Sequence, residues 1–526
     1  MHDSRASRWW EGAVLYQVYV RSFADANGDG YGDLRGLIDK LDHLSELGVD
    51  GIWLSPTMPS PDTDWGYDVA DYTGVHPELG TMADLEELLK AAESRNLRVL
   101  LDLVPNHTSS AHPWFVAARQ GRDAPQRDWY VWADPAPGGG PPNNWIDATG
   151  ESAWTLDAAS GQYYLHNFLE TQPDLNWWNE EVHAAFREVL SYWFDRGVAG
   201  FRIDVAHGLY KDAELRDDPP AADPASRTSR YGLEPTYSAY RPETHRVFRE
   251  WRHIADSYDP PRLLLGETWV LDLERLASYY GADDELQLGF NFPFAFSDFA
   301  APSLAAVVGE TLSRLGGHCP VWMASNHDIG RFPTRWGSND EQRSRAALTL
   351  LLMLPGTVVL YYGDEVAMTD VDVPRELQRD PMTWGNRGDK PIRDRARTPL
   401  VWTDEPGGGF TSPAVRPWLP AGPLPFGSVE DQRGDPHSVL ALCRHLVALR
   451  HAHLGGVAAY EEIAVADDWW MFAVADLVVA VSFADHPLEL EVPAGRLALS
   501  SCCDRAPGAL ADTLTLRPHE AVVCVR

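Results

Sequence analysis

The sequence predicts an α/β fold: a closed (β/α)8 TIM barrel with an inserted domain after strand three and a C-terminal antiparallel β-sandwich domain. Two observations predict the barrel. Short apolar, β-rich runs recur eight times, and most are followed by a segment with helical period. A third observation, the change to short strands without intervening helices near the C-terminus, predicts the separate tail. The eight runs are Val14–Val20, Gly51–Leu54, Arg98–Val104, Gly200–Val205, Arg262–Gly266, Gln287–Phe292, Val321–Ala324 and Thr357–Tyr361.

The helical segments lie between these runs. In Leu34–Leu47, leucine and isoleucine recur every three or four positions, which is the apolar stripe of an amphipathic helix. Alternating strands and helices imply a parallel sheet, and eight near-continuous apolar strands suit a barrel that is buried on both faces. The predicted helices are Leu34–Leu47, Met82–Arg95, Val182–Arg196, Glu243–Ser257, Leu304–Leu315 and Glu341–Leu354.

Three connections are longer than the ~2–6 residues usual in barrel loops. The first follows Val104 and is rich in Trp, Pro and Gly, so we expect it to form a small domain; the others are 206–242 and 366–436. The predicted domains are a barrel from residues 1–104 and 176–455, an inserted domain at 105–175 and a β domain at 456–526. In the last of these the predicted strands are Trp469–Val474, Leu477–Phe483, Leu497–Cys502 and Ala521–Val525.

The charge balance excludes several classes of partner. The chain of 526 residues carries 44 Lys+Arg against 77 Asp+Glu, a formal charge of −33, which would repel nucleic acids and anionic membranes. No stretch of 18 apolar residues predicts a membrane span, and the first residues show no secretion signal. The five cysteines form no metal-binding pattern, so we expect free thiols in a cytoplasmic protein, a monomer or small homo-oligomer.

Polar side chains stand where four of the apolar runs end. In a TIM barrel the active site lies at the C-terminal ends of the strands, and charged residues there are not explained by packing. Four strand ends of this kind are expected to meet at the C-terminal end of the barrel. They are Asp102–His107, Gly200–Asp204, Gly266–Trp269 and Ala324–Asp328.

Two carboxyl groups on either side of a bond are what glycoside hydrolysis requires, one ionised and the other protonated. Arg202 lies two residues before Asp204 in a strand, so both side chains point to the same face and the guanidinium should keep Asp204 ionised. Glu267 has no cation beside it in sequence and has apolar neighbours. We therefore expect a raised pKa for Glu267 and a general-acid role.

The four strand-end segments resemble the four ordered sequence blocks of the α-amylase superfamily, glycoside hydrolase family 13. Gln172–Asn176 resembles the extra block of its oligo-1,6-glucosidase/α-glucosidase branch. The resemblance covers nearly the whole chain and implies the same barrel, insert and β tail. It implies a retaining mechanism with Asp204 as nucleophile, Glu267 as acid/base and Asp328 as the third carboxylate. It also implies that His107 and His327 hold sugar hydroxyls.

Two further segments resemble the branch's pocket for a terminal glucose. In Trp65–Asp68 the resemblance implies that Tyr67 stacks on the sugar and Asp68 binds hydroxyl groups at its non-reducing end. In Arg393–Pro399 an arginine, either Arg393 or Arg397, would pair with Asp68 and close the pocket. A closed pocket implies exo cleavage.

Oxygen-bearing side chains alternate from Asp25 to Asp33, with glycine at the sixth position, as in the first part of a Ca²⁺ loop. Position twelve is Gly36 rather than glutamate, so the segment is not an EF-hand. It resembles the single metal loop of the α-glucosidase branch, which implies one structural divalent cation, Ca²⁺ or Mg²⁺, and no organic cofactor. The implied ligands are Asp25, Asn27, Asp29, the Tyr31 carbonyl and Asp33.

The resulting expectation is an exo-acting, retaining α-glucosidase that hydrolyses short α-glucosides of the maltose or isomaltose type, or sucrose, through a covalent β-glucosyl-Asp204 intermediate. Val205 after the nucleophile resembles members that accept α-1,6 linkages. One alternative is a glucosyltransferase or isomerase with the same intermediate, such as a trehalose synthase. Another is a non-catalytic homologue, which the presence of all three carboxylates disfavours.

Overall fold

The structure, a computed structural model, describes residues 8–381, 392–423, 425–509 and 513–526. Helices separate most of its strands as far as residue 453, apart from a group of three strands between residues 132 and 165, and from residue 460 the strands follow one another directly. In chain order they are β1 Val14–Val18, β2 Gly51–Leu54, β3 Arg98–Leu103, β4 Trp132–Ala133, β5 Trp154–Asp157, β6 Gln162–Leu165, β7 Gly200–Ile203, β8 Leu263–Gly266, β9 Leu288–Gly289, β10 Val321–Met323, β11 Thr357–Tyr361, β12 Tyr460–Val465, β13 Trp469–Val474, β14 Leu477–Ser482, β15 Leu488–Glu491, β16 Arg496–Ser500, β17 Gly508–Ala509, β18 Thr513–Leu516 and β19 Ala521–Val525.

The α-helices mostly cover the outside of the barrel, and most of the longer ones bury one apolar side. They are α1 Leu34–Asp39, α2 Leu41–Leu47, α3 Met82–Glu93, α4 Pro113–Ala118, α5 Glu180–Phe194, α6 Thr244–Asp256, α7 Leu273–Ser278, α8 Phe292–Ala295, α9 Ala301–Leu315, α10 Phe332–Arg335, α11 Glu341–Met353, α12 Val429–Gly434 and α13 Val439–His453.

The barrel is an eight-stranded parallel sheet in the order β10-β11-β1-β2-β3-β7-β8-β9. A parallel bridge between Phe290 and Val321 joins its two edge strands. The predicted (β/α)8 barrel is therefore confirmed, with each of the eight predicted runs supplying one strand. All strands run in one direction, so the residues that follow them meet at one end of the barrel.

The predicted helix over Leu34–Leu47 is two helices, α1 and α2. They meet at Lys40, which leaves helical geometry with φ −106° and ψ 3°. The ammonium group of Lys40 lies 4.5 Å from the centre of the Trp402 ring, in a cation–π contact. The apolar stripe continues through this break, which is why periodicity alone predicts one helix.

Between β3 and α5 the chain builds a small three-stranded antiparallel sheet in the order β4-β6-β5. It has a core of its own, in which the rings of Trp145 and Trp154 stack with centroids 5.9 Å apart. This unit lies within the predicted inserted domain. The limits of the three domains, 1–104 with 176–455, 105–175 and 456–526, stay a prediction.

The tail consists of two antiparallel sheets, one of six strands in the order β12-β13-β14-β19-β16-β17 and one formed by β15 and β18. Apolar side chains from both, such as Met471 and Leu516, form one cluster between them. The C-terminal antiparallel domain is confirmed. The strands β12, β15, β17 and β18 were not predicted, because they have several exposed or half-buried positions and no continuous apolar run.

Within the described ranges, no helix is long and apolar enough to cross a membrane. All five cysteines are free thiols.

Candidate active site

The predicted site residues meet at the C-terminal end of the barrel. Asp204 directly follows β7, Glu267 directly follows β8, and His107 and Asp328 lie a few residues beyond β3 and β10. Their side chains are buried or nearly so, which is unusual for charged groups unless they are paired.

Arg202 is the centre of this group. Its Nη1 lies 2.7 Å from Asp204 Oδ1 and 2.9 Å from Asp102 Oδ1, and its Nη2 lies 3.4 Å from Glu267 Oε2. The guanidinium is 1 % exposed, so water does not screen these contacts. The two predicted catalytic carboxyl groups therefore share the Arg202 guanidinium, and Asp204 lies closer to it than Glu267 does.

The electrostatic surroundings of these two carboxyl groups differ, because Arg202 lies closer to Asp204 than to Glu267. Burial, aided by the negative charges of Asp204 and Asp328, raises the pKa of Glu267 to about 8 against the partial opposition of Arg202. Burial also raises the pKa of Asp204, and here the close Arg202 contact opposes it. At neutral pH Glu267 therefore holds a proton, while Arg202 favours the ionised form of Asp204.

Val205 is a site residue that sequence reasoning did not connect with Glu267. Its backbone N–H donates to Glu267 Oε2 at 2.8 Å. Its φ is +45°, a left-handed conformation that costs a β-branched residue about 1–3 kcal/mol. The turn after Asp204 is thus strained, and its amide is directed at the Glu267 carboxyl group.

Asp328 lies between two arginines. Its Oδ1 is 3.1 Å from Arg393 Nη1 and 3.0 Å from Arg397 Nη2, and its Oδ2 is 3.2 Å from His327 Nε2. Burial alone would raise the pKa of Asp328, but the neighbouring imidazole and the positive charges of the arginines outweigh it and hold the pKa below the usual range. Asp328 is therefore an ionised carboxylate, unlike Glu267.

A chain of hydrogen bonds orients His327. Gln17 Nε2 lies 2.8 Å from His327 Nδ1, while the Tyr67 hydroxyl lies 2.6 Å from His327 Nε2 and donates to Asp102 Oδ2 at 3.0 Å. Burial lowers the pKa of His327 well below its usual value, so the ring is neutral. Since the Gln17 amide donates to Nδ1, the ring proton is on Nε2, toward Tyr67 and Asp328. The Tyr67 and His327 rings also stack, 5.2 Å apart.

His107 is fixed by the inserted segment. Its Nε2 lies 3.1 Å from the Tyr67 carbonyl oxygen and 3.2 Å from Gln172 Nε2, and its Nδ1 lies 3.1 Å from Asn106 Nδ2. Gln172 belongs to the block that resembles the α-glucosidase branch. That block therefore contacts a predicted sugar-binding histidine directly.

Lys211 is a buried cation that contacts two residues close to His107 in the structure. Its ammonium group pairs with Asp174 Oδ2 at 2.6 Å and donates to Asn106 Oδ1 at 2.7 Å, and all three side chains are buried. Asp174 also accepts from Asn106 Nδ2 at 3.2 Å. The pair ties the loop after β7 to the inserted segment beside His107, and nothing in the sequence pattern pointed to it.

The predicted pairing of an arginine with Asp68 is wrong. The Asp68 carboxylate is fully buried and accepts hydrogen bonds from the Ser60 hydroxyl and from the backbone N–H groups of Thr63 and Asp64, so it fixes its own loop. Asp64 forms the predicted pair instead: its Oδ1 lies 2.9 Å from Arg393 Nη2.

The structure distinguishes the two candidate arginines. Arg397 is fully buried and donates to the His327 carbonyl oxygen at 2.8 Å, so it lies behind Asp328. Arg393 keeps 18 % of its side chain exposed and reaches both Asp64 and Asp328. Arg393 is therefore the arginine that can meet a ligand.

The predicted cation loop has oxygen side chains, and most of them accept hydrogen bonds from the loop itself. The carboxylate of Asp25 accepts from two loop amides and from the Thr411 hydroxyl, and that of Asp33 accepts from three amides. Hard oxygen donors of this kind suit Ca²⁺ or Mg²⁺. The five predicted ligands are Asp25, Asn27, Asp29, Tyr31 and Asp33.

Among the described residues, one group of three Asp, Glu or His ligand atoms lies within 4.8 Å of one another, and it is not this loop. It consists of Asp62, His76 and Glu78. Arg21 pairs with Asp62 and Glu78, at 2.7 Å in each case. The guanidinium already occupies both carboxylates and offsets part of their charge, so the group makes a poor cation site.

The strand ends of this barrel bring two carboxyl groups to one guanidinium, with a third carboxylate nearby. Glycoside hydrolases use such a pair of carboxyl groups at this end of a barrel. The model of the α-amylase family, described as "Alpha amylase, catalytic domain", matches residues 17–457. The chain belongs to this family, glycoside hydrolase family 13.

Several relatives are similar over most of their length. A "Probable alpha-glucosidase" of Rhizobium meliloti is 40 % identical over 461 residues, covering 85 % of this chain and 83 % of the relative. An "Oligo-1,6-glucosidase" of Parageobacillus thermoglucosidasius is 34 % identical and covers 92 % of each chain.

Two solved structures superpose with a TM-score of 0.90. The alpha-glucosyl transfer enzyme XgtA is 37 % identical and covers 98 % of this chain and 99 % of its own. The trehalulose synthase MutB from Pseudomonas mesoacidophila MX-45 is 30 % identical, with the same coverage.

Proposed function

We propose that this protein is an exo-acting, retaining α-glucosidase that releases terminal glucose from short α-glucosides such as maltose, isomaltose or sucrose. The observation that carries the proposal is the ion pair between Arg393 and Asp64 beside Asp328. A pair that closes one end of the pocket leaves room for a chain end and none for an internal segment. The α-glucosidase and oligo-1,6-glucosidase relatives support it.

In the first step the ionised Asp204 carboxylate attacks the anomeric carbon, and Glu267 gives its proton to the leaving oxygen. The glycosidic bond breaks as the bond to Asp204 forms, which gives a β-glucosyl ester and a free alcohol. In the second step Glu267 takes a proton from water, whose oxygen displaces Asp204 and restores the α configuration. Arg202 stabilises the negative charge on Asp204 at the start and end of this cycle.

The remaining side chains bind the sugar in this proposal. Asp328 and His327 hold hydroxyl groups of the glucose at the cleavage point, and His107 holds another. The ionised state of Asp328 and the Nε2 proton of His327 support an acceptor and a donor role respectively. Tyr67 packs against the same sugar.

The second candidate is a glucosyltransferase or isomerase that uses the same ester intermediate. The superposition on a glucosyl transfer enzyme and a trehalulose synthase favours it. The two functions differ only in the acceptor of the second step, which is water in one and a sugar hydroxyl in the other. A non-catalytic role is the least favoured candidate, because Asp204, Glu267 and Asp328 are all present.

Product analysis with maltose, isomaltose, sucrose and trehalose tests these candidates. An α-glucosidase releases glucose as the main product and forms transfer products only at high substrate concentration. A transferase or isomerase gives new disaccharides at low concentration. Failure to cleave any of the four sugars would contradict the proposal.

We also propose one structural Ca²⁺ or Mg²⁺ ion held by the loop from Asp25 to Asp33, and no organic cofactor. The carboxylate and amide oxygens at alternate positions support it. The loop also contacts the segment 410–418, since the Thr411 hydroxyl donates a hydrogen bond to the Asp25 carboxylate. A cation here would therefore stabilise the fold and take no part in the chemistry.

The partners of such an enzyme are small α-glucosides, not nucleic acids or membranes. Five free thiols support a reducing, cytoplasmic location. A monomer or small homo-oligomer stays the expectation, which light scattering of the purified protein tests.

A further inference from the structure

Arg393 is held from outside the pocket by one aspartate. The Nε of Arg393 lies 3.0 Å from both carboxylate oxygens of Asp380, its Nη2 lies 2.7 Å from Oδ1, and its backbone N–H donates to Oδ2 at 3.1 Å. The Asp380 side chain is 1 % exposed, and Arg393 holds its pKa at about 2, against the effect of burial. Asp380 is thus an ionised, buried anchor for this arginine.

Asp380 is itself fixed by the residue that follows Arg393. Asp394 Oδ2 accepts hydrogen bonds from the backbone N–H groups of Arg379, at 2.6 Å, and Asp380, at 3.0 Å. The two chain segments therefore clasp each other, each aspartate binding the backbone of the opposite segment. The carbonyl oxygen of Arg379 also accepts from Trp65 Nε1 at 3.0 Å, in the loop that carries Asp64.

The hydrogen bonds between these two segments restrict the orientation of the Arg393 guanidinium. An arginine side chain has many rotamers, and a ligand that orders the side chain must otherwise overcome the loss of that entropy. Asp380 occupies the Nε edge and part of the Nη2 edge of Arg393. The remaining edge faces Asp64 and Asp328. The arginine is thus ordered before any sugar arrives.

We propose that Asp380 is a positioning residue that holds Arg393 across the pocket and thereby sets the affinity for the terminal glucose. The proposal rests on the proposed function, because it assigns the sugar to the pocket that Arg393 closes. Asp380 does not touch the substrate. It acts through the orientation of Arg393, so it should affect binding more than the chemical step at Asp204.

The test is Asp380→Asn, which keeps the shape of the side chain and removes its charge. A hydrogen bond between charged groups contributes roughly 1.5–3 kcal/mol, so KM for maltose should rise about 10- to 100-fold. The value of kcat should change less than about threefold. Asp372→Asn is the matched control, since Asp372 is exposed in the same segment, and it should leave both constants unchanged.

Two further measurements separate positioning from a merely structural role. In an Arg393→Lys background, Asp380→Asn should raise KM by less than about threefold, because the planar fork that Asp380 orders is gone. If Asp380→Asn shows no cooperative unfolding transition, Asp380→Glu takes its place. An unchanged KM in a folded variant, or additive effects in the double variant, overturns the proposal.

The crystal structures of the wild-type enzyme and Asp380→Asn keep this test independent of activity. Arg393 should shift from its wild-type position relative to Asp64 and Asp328 in the variant, and an unmoved Arg393 overturns the positioning role. If the wild-type protein cleaves no α-glucoside, the proposed function fails, while the position of Arg393 still decides whether Asp380 holds it.

Discussion

The ionisation of Glu267 should set the alkaline limit of activity. Burial and the neighbouring carboxylates raise the pKa of Glu267 from 4.5 to about 8. At pH 7 a carboxyl group with this pKa is about 90 % protonated, whereas one at 4.5 is about 0.3 % protonated, a difference of roughly 300-fold. The proton is needed on the leaving oxygen, so on the alkaline side kcat/KM should reach half its maximum near pH 8 and fall about tenfold per pH unit well above it.

The assay is the pH profile of kcat/KM for maltose in wild-type enzyme and in Glu267→Gln. The variant should lose about 10²- to 10⁴-fold activity on maltose, because its leaving group needs a proton. It should lose less on α-glucosyl fluoride, whose leaving group needs little help, and its residual activity should show no alkaline limb near pH 8. An alkaline limb at the same pH in a still-active variant would refute the assignment of Glu267.

Asp204→Asn should lower kcat on maltose at least ~10³-fold, since no glucosyl ester can form, and near-normal turnover would contradict the nucleophile assignment. Lys211→Met should cost about 3–5 kcal/mol in urea unfolding, because it leaves Asp174 buried without its cation, while the exposed Lys90→Met should change little. After treatment with a chelator, Ca²⁺ or Mg²⁺ at ~100 times its Kd should raise the unfolding free energy by about 2.7 kcal/mol, and Asp25→Ala should abolish the gain.

The barrel could be predicted because its signals are local. Each strand is a short apolar run, and each catalytic side chain follows such a run directly, as Asp204 follows β7 and Glu267 follows β8. Parallel strands then bring these residues to one end whatever their separation along the chain. The raised pKa of Glu267 was expected from the apolar residues beside it in sequence, and burial is its largest cause.

The arginine partner in the pocket could not be predicted this way. Asp64 and Asp68 flank one turn in which Trp65 and Gly66 have φ values of +50° and +102°. This reversal buries one carboxylate among its own backbone amides and directs the other to Arg393. Sequence spacing does not say which is which, because the direction of each side chain depends on those two dihedral angles.

Contacts between distant segments also left no local signal. The Lys211–Asp174 pair joins the loop after β7 to the inserted segment, and Asp380 meets Arg393 across a segment that includes residues outside the described ranges. Each is a single charged residue in an irregular stretch, where periodicity predicts nothing.

The most direct test of a retaining mechanism through Asp204 is to trap the ester. The enzyme is incubated with a 5-fluoro-α-glucosyl fluoride, digested, and analysed by peptide mass spectrometry. We expect one fluoroglucosyl group on the peptide from β7, attached to Asp204. A label on another carboxylate, or release of β-glucose from maltose as the first product, would contradict the account.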